Sequence, residues 1–249
     1  MKKKWYESWF DSPFYHILYK DRDMEEAANF IDTLIDFLQP DKDSKIMDLA
    51  CGKGRHAFQL AEKGFDVTGL DLSPQSIYTA KKKCLPNLQC AVHDMRIPYK
   101  IGYFDYVFSF FTSFGYFDEV KDDIAVLKSV YQNLKEGGYY ILDFLNERQV
   151  TKKLKAYEEK LIDGITFKIS KKTENGFVYK NIQFAFEETP YSFTERVRLI
   201  DETEMKHLFQ QSNLKIIHTF GDYQLGNFEA ANSPRLIIIA QKDGTTHSN

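Results

Sequence analysis

The stretch of sequence that decides the fold is Lys45-Ile46-Met47-Asp48-Leu49-Ala50-Cys51-Gly52-Lys53-Gly54-Arg55-His56-Ala57. It begins as a short, largely apolar strand pattern, continues through two glycines and ends in the start of a helical pattern. Glycines at 52 and 54 let the backbone turn sharply and approach a ligand where a Cβ would collide. The helix start that follows presents N–H groups suited to an anionic or carboxylate-bearing ligand. A tight strand-to-helix turn without any ligand explains the same glycines, so the motif needs support from the rest of the chain.

Short apolar runs alternate with helical patterns on both sides of this stretch, as far as about residue 150. Such alternation is typical of βαβ units and predicts a parallel sheet. The predicted strands are 45–49, 65–70, 88–92, 104–110 and 139–144, and the predicted helices are 23–39, 55–63, one opened by Ser73-Pro74, and 119–135.

The chain changes character after about residue 150. Phe-, Tyr- and Val-rich runs at 165–171, 177–187 and 191–200 predict an antiparallel meander, with Asn175-Gly176 as its clearest hairpin turn. A helix from Asp201 and two more strands then follow. Because helix and strand resume, the sequence predicts an α/β fold with an inserted β meander.

The composition is that of a soluble globular protein. The chain has 249 residues, 43% of them hydrophobic and 28% charged, which favours one or two domains. With 33 Lys+Arg against 36 Asp+Glu, the net charge of −3 argues against a nucleic-acid partner. No run approaches the roughly 20 apolar residues of a membrane-spanning helix, so no membrane partner is expected.

The start of the chain and its cysteines predict a cytoplasmic protein. Acidic and polar residues, beginning with Glu7, interrupt the segment after the basic start, so a signal peptide is not expected. Cys51, Cys84 and Cys90 are odd in number and lack metal-ligand spacing, which is typical of reduced thiols.

Three acidic residues follow or end successive predicted strands. Asp48 ends the first, Asp71 comes twenty-three positions later, and Asp94 another twenty-three later. Because the carboxyl ends of parallel strands line one crevice, we expect these side chains at a common ligand site. Asp71 could accept hydrogen bonds from both hydroxyls of a ribose, and Asp94 from the exocyclic amine of an adenine. Each acid alone is also explained as a loop cap.

This constellation resembles the class I S-adenosylmethionine-dependent methyltransferases of the small-molecule type. The resemblance covers roughly residues 42–145 and returns at 201–241. It rests on five motifs in the family's order: Asp48–Gly54, Asp71, His93-Asp94-Met95, Phe104–Phe110, and the Leu134–Asp143 approach to a fifth strand.

The resemblance implies a doubly wound, Rossmann-like sheet of seven strands, mostly parallel with an antiparallel last strand. The meander would be inserted between strand 5 and the last helix. The domains expected are an N-terminal aromatic cap (1–22), a cofactor-binding domain (23–150 and 201–242), an inserted lid or substrate subdomain (151–200) and a flexible tail (243–249).

The cofactor implied by the resemblance is S-adenosylmethionine, with S-adenosylhomocysteine as product and no metal. Asp48 would lie near the amino group of the cofactor, Asp71 would hold the ribose, and Phe110 would offer backbone contact near the sulfonium. The full set of expected cofactor-binding residues is Tyr19, Arg22, Asp48, Ala50, Gly52, Gly54, Asp71, Leu72, Asp94, Met95 and Phe110.

The expected reaction is in-line methyl transfer to an N or O atom of a small molecule. His16 and Tyr116 are the candidate catalytic residues, with His16 as a possible base. The candidate acceptor-binding residues are Tyr15, Thr112, Ser113, Tyr223 and Arg235. Packing of the domain's flank explains the N-terminal aromatic rings equally well, and an ordinary connection explains Tyr223 and Arg235.

Two other functions fit parts of the pattern. Gly52-x-Gly54-x-x-Ala57 with Asp71 downstream also satisfies the fingerprint of an NAD(P)-dependent dehydrogenase. A non-catalytic regulatory protein that binds S-adenosylmethionine would keep the same pocket. The Pro-Pro-aromatic signature of enzymes that methylate base amines is missing after Val107, which again argues against nucleic acid. The expected assembly is a monomer or homodimer.

Overall fold

The computed structural model describes residues 4–20, 24–83 and 85–243. The helices are α1 (Trp5–Trp9), α2 (Pro13–Leu18), α3 (Met24–Leu38), α4 (Arg55–Glu62), α5 (Pro74–Ala80), α6 (Val120–Asn133), α7 (Glu147–Lys152) and α8 (Glu202–Gln211). The strands are β1 (Lys45–Leu49), β2 (Asp66–Asp71), β3 (Leu88–Val92), β4 (Phe104–Ser109), β5 (Leu134–Leu145), β6 (Tyr157–Ile162), β7 (Ile165–Glu174), β8 (Phe177–Phe186), β9 (Thr189–Arg198), β10 (Leu214–Phe220) and β11 (Arg235–Lys242).

A seven-stranded sheet forms the frame, in the order β10-β11-β5-β4-β1-β2-β3. The five strands from β5 to β3 in this order are parallel, and β11 lies antiparallel between β5 and β10. This arrangement confirms the predicted fold class. The direction of winding changes between β1 and β4, and at such a switch point the carboxyl ends of the strands leave a crevice for a ligand.

Helices cover both faces of the sheet. On one face, apolar residues of α6 and α8, such as Leu127 and Phe209, pack in one buried cluster with β5 and β11. On the other face, α3 and α4 contribute residues such as Phe30 and Leu60 to a second cluster. The central strands are therefore buried on both sides, which is why β4 reads as an almost continuous apolar run.

The inserted segment forms a separate antiparallel sheet in the order β6-β7-β8-β9. Asn175 and Gly176 both have positive φ in the β7–β8 turn, as a two-residue hairpin requires, so the predicted turn is confirmed. Helices α1 and α2 pack on this sheet: Trp9, with no exposed surface, shares a cluster with Phe167 and Phe184. We call α1, α2 and the four-stranded sheet together the roof.

A contact at the other side of the N-terminal segment ties the roof to the main domain. The carboxylate of Asp11 accepts hydrogen bonds from Ser73 Oγ (2.6 Å) and from the backbone N–H of Gln75 (3.1 Å). Ser73 is itself the N-cap of α5. The N-terminal segment therefore meets the main domain where β2 ends and α5 begins.

The structure differs from the sequence prediction at several elements. β6 was not predicted, because its Glu158-Glu159-Lys160 centre hides the alternation of an edge strand. The short helices α1, α2 and α7 were also missed. α6 ends at Asn133 rather than at residue 135, and β5 begins directly after it at Leu134 rather than at residue 139. No helix within the described residues is long and apolar enough to cross a membrane.

Candidate active site

A cavity of about 1180 Å³ lies between the roof and the carboxyl ends of the parallel strands. Residues from β1 and β2, and from the loops that follow β1, β2, β3 and β4, form its floor, while α1, α2, β8 and β9 contribute to its other wall. The predicted site residues that line it are Tyr15, His16, Tyr19, Ala50, Gly52, Asp71, Leu72, Asp94, Met95, Phe110, Thr112, Ser113, Tyr116 and Arg235. Most of the predicted residues are thus brought to one place.

The turn after β1 leaves open space for a ligand at Gly52. Ala50, Gly52 and Gly54 all have positive φ, which turns the chain into α4 within a few residues. A Cβ built on Gly52 would meet no protein atom within 4 Å, and Gly52 lines the cavity. The turn therefore exposes its backbone directly to whatever occupies the cavity.

Asp71, at the end of β2, is held in place by the same turn. One carboxylate oxygen accepts the Gly52 N–H at 2.8 Å, and the other accepts the Ser73 N–H at 2.8 Å. Burial raises the pKa of this carboxyl, and the backbone hydrogen bonds oppose that rise. A carboxylate has about four acceptor positions, so Asp71 keeps capacity for hydroxyl donors of a ligand.

Asp94, which follows β3, is engaged by an arginine. Its oxygens accept from Arg96 Nη2 at 2.6 Å and Nε at 3.1 Å, and Arg96 also reaches Asp122 at 3.0 Å. Burial alone would raise the pKa of Asp94, but the Arg96 hydrogen bonds outweigh burial and hold the pKa below its ordinary value. Asp94 lines the cavity as a fixed anion whose orientation is set by Arg96.

The loop after β4 takes an unusual backbone conformation. Phe111 and Thr112 both have positive φ, 55° and 63°, which non-glycine residues seldom adopt. Hydrogen bonds to Asp143 of β5 stabilise this conformation. The Asp143 carboxylate accepts the Phe111 N–H at 2.8 Å, and its backbone carbonyl accepts the Thr112 N–H at 3.0 Å. The loop is therefore fixed from the neighbouring strand.

Arg235, at the start of β11, completes this arrangement. Its Nε lies 2.7 Å from Asp143 Oδ1, and its Nη2 donates to Thr112 Oγ1 at 2.9 Å. The Asp143 side chain has no exposed surface, so the ion pair is largely desolvated. We call Asp143, Arg235 and Thr112 the loop anchor. Sequence analysis found Thr112 and Arg235 but assigned no site role to Asp143.

Within the roof, a polar cluster joins the four-stranded sheet to the N-terminal segment at the cavity wall. Glu195 of β9 accepts hydrogen bonds from Tyr19 Oη at 2.6 Å and Trp9 Nε1 at 2.7 Å, and Lys180 Nζ lies 3.5 Å away. Lys180 also contacts the Tyr19 hydroxyl. Tyr19, Lys180 and Glu195 all line the cavity. Neither Glu195 nor Lys180 was predicted, because nothing in the local pattern of β8 or β9 distinguishes them from ordinary exposed charges.

Tyr116 belongs to an aromatic wall of the same cavity. Its ring lies 5.5 Å from Trp5 and 5.3 Å from Phe10, and Phe10 lies 5.1 Å from Tyr15. Electron-rich ring faces attract a cation such as a sulfonium or an ammonium, worth about 0.5–2 kcal/mol. Tyr15 and Tyr116 thus occupy a surface suited to a positively charged group.

His16 lies on the side of the cavity formed by α5. Its Nε2 is 3.5 Å from Ser76 Oγ. Burial, reinforced by the nearby Lys53 ammonium, lowers the pKa of His16 to about 4. The imidazole is therefore neutral at pH 7, able to accept a proton but only as a weak base.

Three predicted site residues, Asp48, Gly54 and Tyr223, do not line the cavity. Asp48 is buried and its carboxylate accepts the Ala57 N–H at 3.0 Å; burial raises its pKa to about 7. Gly54 faces Ala80, whose Cβ would lie 3.1 Å from a Cβ at 54. The Tyr223 ring lies 4.4 Å from the Phe30 ring, and its hydroxyl donates to Asp143 at 3.2 Å. The prediction for Arg22 lies outside the described residues.

A metal centre has no support in the part of the chain that the structure describes. Within it, no three or more His, Cys, Asp or Glu side chains are grouped so that they could hold a metal ion. The polar groups of the cavity are hydrogen-bonded carboxylates, hydroxyls and cationic side chains. They can bind and orient an organic ligand with hydroxyl and amino groups.

Part of the chain is similar in sequence to known methyltransferases. Residues 46–138 match the family model described as a methyltransferase domain. Within these residues the sequence is therefore similar to a methyltransferase domain, in agreement with the resemblance that its motifs indicated. YqeM of Bacillus subtilis (strain 168), provisionally named a methyltransferase, is 39% identical over 107 residues, which are 42% of this chain and 43% of that protein.

A second curated relative has a defined activity. The dTDP-3-amino-3,4,6-trideoxy-alpha-D-glucopyranose N,N-dimethyltransferase of Streptomyces venezuelae is 30% identical over 132 residues, 52% of this chain and 54% of that protein. The chain thus spans about half the length of the curated relatives it matches.

Solved structures agree over nearly the whole chain. An S-adenosylmethionine-dependent methyltransferase from Clostridium acetobutylicum ATCC 824 superposes with a TM-score of 0.78 at 21% identity, covering 93% of this chain and 96% of that one. The sugar N-methyltransferase KedS8 from Streptoalloteichus sp. ATCC 53650 gives 0.74 at 17% identity, with 92% of each chain covered. Both likenesses confirm the fold.

Proposed function

We propose that this protein transfers a methyl group from S-adenosylmethionine to an N or O atom of a small molecule. The observation that carries the proposal is Asp71, whose carboxylate is fixed by Gly52 and Ser73 at the wall of a cavity. A ribose offers two neighbouring hydroxyls, and an oriented carboxylate accepts both. The names of relatives and structural neighbours support methyl transfer: they include a sugar N-methyltransferase and a ubiquinone biosynthesis O-methyltransferase.

The residues present fit the cofactor. The open space at Gly52 admits the close approach of a ligand to the backbone, and Asp71 supplies the ribose acceptor. Leu72 and Met95 line the cavity and would provide apolar surfaces for an adenine, with Asp94 beside them. When bound, S-adenosylmethionine supplies an electrophilic methyl group on a sulfonium.

The chain's own contribution is binding and orientation. The loop anchor fixes Phe111 and Thr112 next to Phe110, where the acceptor side of the cavity begins. The roof covers the cavity and limits the entry of water. Holding reactants aligned and in contact can supply roughly 7–11 kcal/mol of a barrier. An amine that arrives neutral needs no strong base, which agrees with the weak basicity of His16.

An amine is the acceptor that the wall chemistry favours. The aromatic wall at Tyr15 and Tyr116 attracts a cation. A neutral amine gains a positive charge as it takes up the methyl group, and the aromatic wall would stabilise that charge. An O-methyl acceptor, such as a phenol, is the alternative within the same proposed reaction.

Two competing functions are separated by ligand binding. A dehydrogenase would bind NADH through the same Asp71, whereas a regulatory protein would bind S-adenosylmethionine without turnover. Calorimetric titration with S-adenosylmethionine, S-adenosylhomocysteine and NADH distinguishes a methyltransferase from a dehydrogenase. Formation of S-adenosylhomocysteine with a panel of amino sugars, other amines and phenols distinguishes a methyltransferase from a regulatory protein that only binds the cofactor. Binding of NADH alone would overturn the proposal.

The setting we propose is a cytoplasmic one, with a small-molecule acceptor and no nucleic-acid partner. The mixed surface charges and the unpaired thiols support it. A monomer or a homodimer is compatible with a cavity formed within one chain, and sedimentation measurements distinguish the two.

A further inference from the structure

Two thiols meet across the middle of β2. Gly69 pairs with Asp48 of β1 on one side and with Cys90 of β3 on the other, and Cys51 follows closely after β1. A Cβ built on Gly69 would lie 2.9 Å from Cys51 Sγ and 3.3 Å from Cys90 Sγ. Both sulfurs therefore occupy the space that a side chain at 69 would fill. Only the absence of that side chain allows the two thiols to approach each other.

The two sulfurs lie in different environments. This difference suits Cys90 to react first with an oxidant and Cys51 to form the disulfide with it afterwards. Cys90 is partly exposed, whereas Cys51 is buried and lines the cavity. A hydrogen bond from the Cys51 thiol lowers the pKa of Cys90, and the Lys81 and Lys83 ammonium groups act in the same direction. The thiolate is the reactive form of cysteine, so Cys90 is the sulfur that an oxidant meets first.

We propose that Cys51 and Cys90 are a redox modification site, at which a peroxide oxidises the pair to a reversible disulfide. The Cys90 thiolate attacks one oxygen of hydrogen peroxide, the O–O bond breaks, and one water leaves after proton uptake, which makes Cys90 a sulfenic acid. Cys51 then gives its proton to the hydroxyl oxygen of the Cys90 sulfenic acid and its sulfur attacks the Cys90 sulfur, so that the S–O bond breaks, a second water leaves and the S–S bond forms. The two thiols lose two electrons to the peroxide, and a dithiol such as dithiothreitol reverses the change.

The disulfide acts on the adenosyl site through the turn after β1. A disulfide needs Cα atoms about 4.4–6.8 Å apart. Cys51 and Cys90 lie on opposite sides of β2, about two strand spacings of roughly 4.8 Å apart, so the turn that carries Cys51 must move towards Cys90. Cys51 immediately precedes Gly52, whose N–H holds Asp71. The shift therefore disturbs the open space at Gly52 and the orientation of the ribose acceptor. This consequence rests on the proposed function, whereas formation of the disulfide does not.

Peptide mapping tests the bond itself. Trypsin releases Cys51 in residues 46–53 but releases Cys84 and Cys90 together in residues 84–96, so the experiment uses full-length Cys84→Ser protein. After treatment with hydrogen peroxide, we expect a linked 46–53/84–96 peptide that dithiothreitol separates. The same treatment of Cys84→Ser/Cys90→Ser protein should give no linked peptide. Sulfenic or sulfinic acid at Cys90 without the link would overturn the proposal.

Calorimetry tests the consequence. Oxidised Cys84→Ser protein should bind S-adenosylhomocysteine at least about tenfold more weakly than the reduced protein, and dithiothreitol should restore the affinity. Cys84→Ser/Cys90→Ser protein should bind equally well before and after peroxide. Equal affinity of the linked and reduced forms would overturn the coupling to the cofactor site. If the reduced protein binds no adenosyl ligand, the proposed function fails, while the mapping still decides the disulfide.

Discussion

Asp71 fixes the turn after β1 and also faces the cavity. Its two oxygens hold the backbone of Gly52 and Ser73, so the side chain cannot rotate away when a ligand arrives. Pre-fixed acceptors bind without the loss of rotamer freedom that a mobile side chain would incur. The strength of adenosyl binding should therefore respond strongly to this one residue.

Asp71→Asn should lower the affinity for S-adenosylmethionine at least about tenfold. The amide keeps one acceptor oxygen but replaces the other with a donor, and a lost hydrogen bond to a charged group is worth about 1.5–3 kcal/mol. Asp66→Asn, at the exposed start of the same strand, is the matched control and should stay within about twofold. Calorimetry measures both, and equal affinities for the two variants would remove Asp71 from the ribose site.

His16 should make stability depend on pH. Its pKa is about 4 in the folded protein, against about 6.5 when unfolded, so the unfolded state takes up the additional proton. The stabilisation is complete above pH 6.5 and is lost as the pH falls through about 4. Because His16 is partly exposed to solvent, we expect only about 1 kcal/mol.

Urea unfolding at pH 7 and pH 4.5 measures this contribution. Wild-type protein should lose about 1 kcal/mol more than His16→Gln between the two values, since glutamine does not titrate. The comparison cancels the opposite contributions of Asp48 and Asp123, whose burial raises each pKa to about 7. Parallel losses in the two proteins would show that His16 is not buried as a neutral group.

At the scale of elements, the loop anchor joins β4, β5 and β11 at one buried carboxylate. Asp143→Asn should destabilise the protein by about 2–4 kcal/mol, because removing one charge of a buried pair leaves Arg235 uncompensated. Glu174→Gln, which breaks an exposed pair with Lys172, should change stability by less than about 1 kcal/mol. Denaturant unfolding of both variants is the measurement. A small effect at Asp143 would mean that the loop after β4 does not depend on this ion pair.

The elements that the sequence predicts well are those with a strong local pattern. β1, β2 and β4 are buried apolar runs, and α5 begins with a Ser-Pro cap, so neighbouring residues carry the signal. β6 is an exposed edge strand with charged residues, and it lacks that signal.

Site residues that depend on distant partners could not be predicted. The Asp143 carboxylate meets residues 32 and 92 positions away, and Glu195 meets Trp9 across 186 positions. Asp48 shows the reverse case: its place before the glycine turn suggested ligand contact, but the carboxylate turns inward to Ala57. The direction of a side chain at a strand end is decided by three-dimensional neighbours that the local pattern does not contain.

At the scale of the whole molecule, the Glu195 carboxylate couples the N-terminal segment to the four-stranded sheet. Glu195→Gln should speed amide hydrogen exchange in residues 5–18, because Lys180 loses its counter-charge and the acceptor of Trp9 and Tyr19 is weakened. Exchange in β4 and β5 should not change. Lys168→Gln, on the exposed face of the same sheet, is the control. Unchanged exchange in residues 5–18 would contradict the coupling.

The shared core of the roof has a consequence for how the chain folds during synthesis. Trp9 packs against residues of β7 and β8, and its indole N–H donates to Glu195, which follows it by 186 positions. At about 5–20 residues per second, a ribosome needs roughly 10–40 s to make the intervening chain. The aromatic start of the protein is therefore exposed throughout that interval, and it is a natural target for chaperones that bind apolar nascent segments.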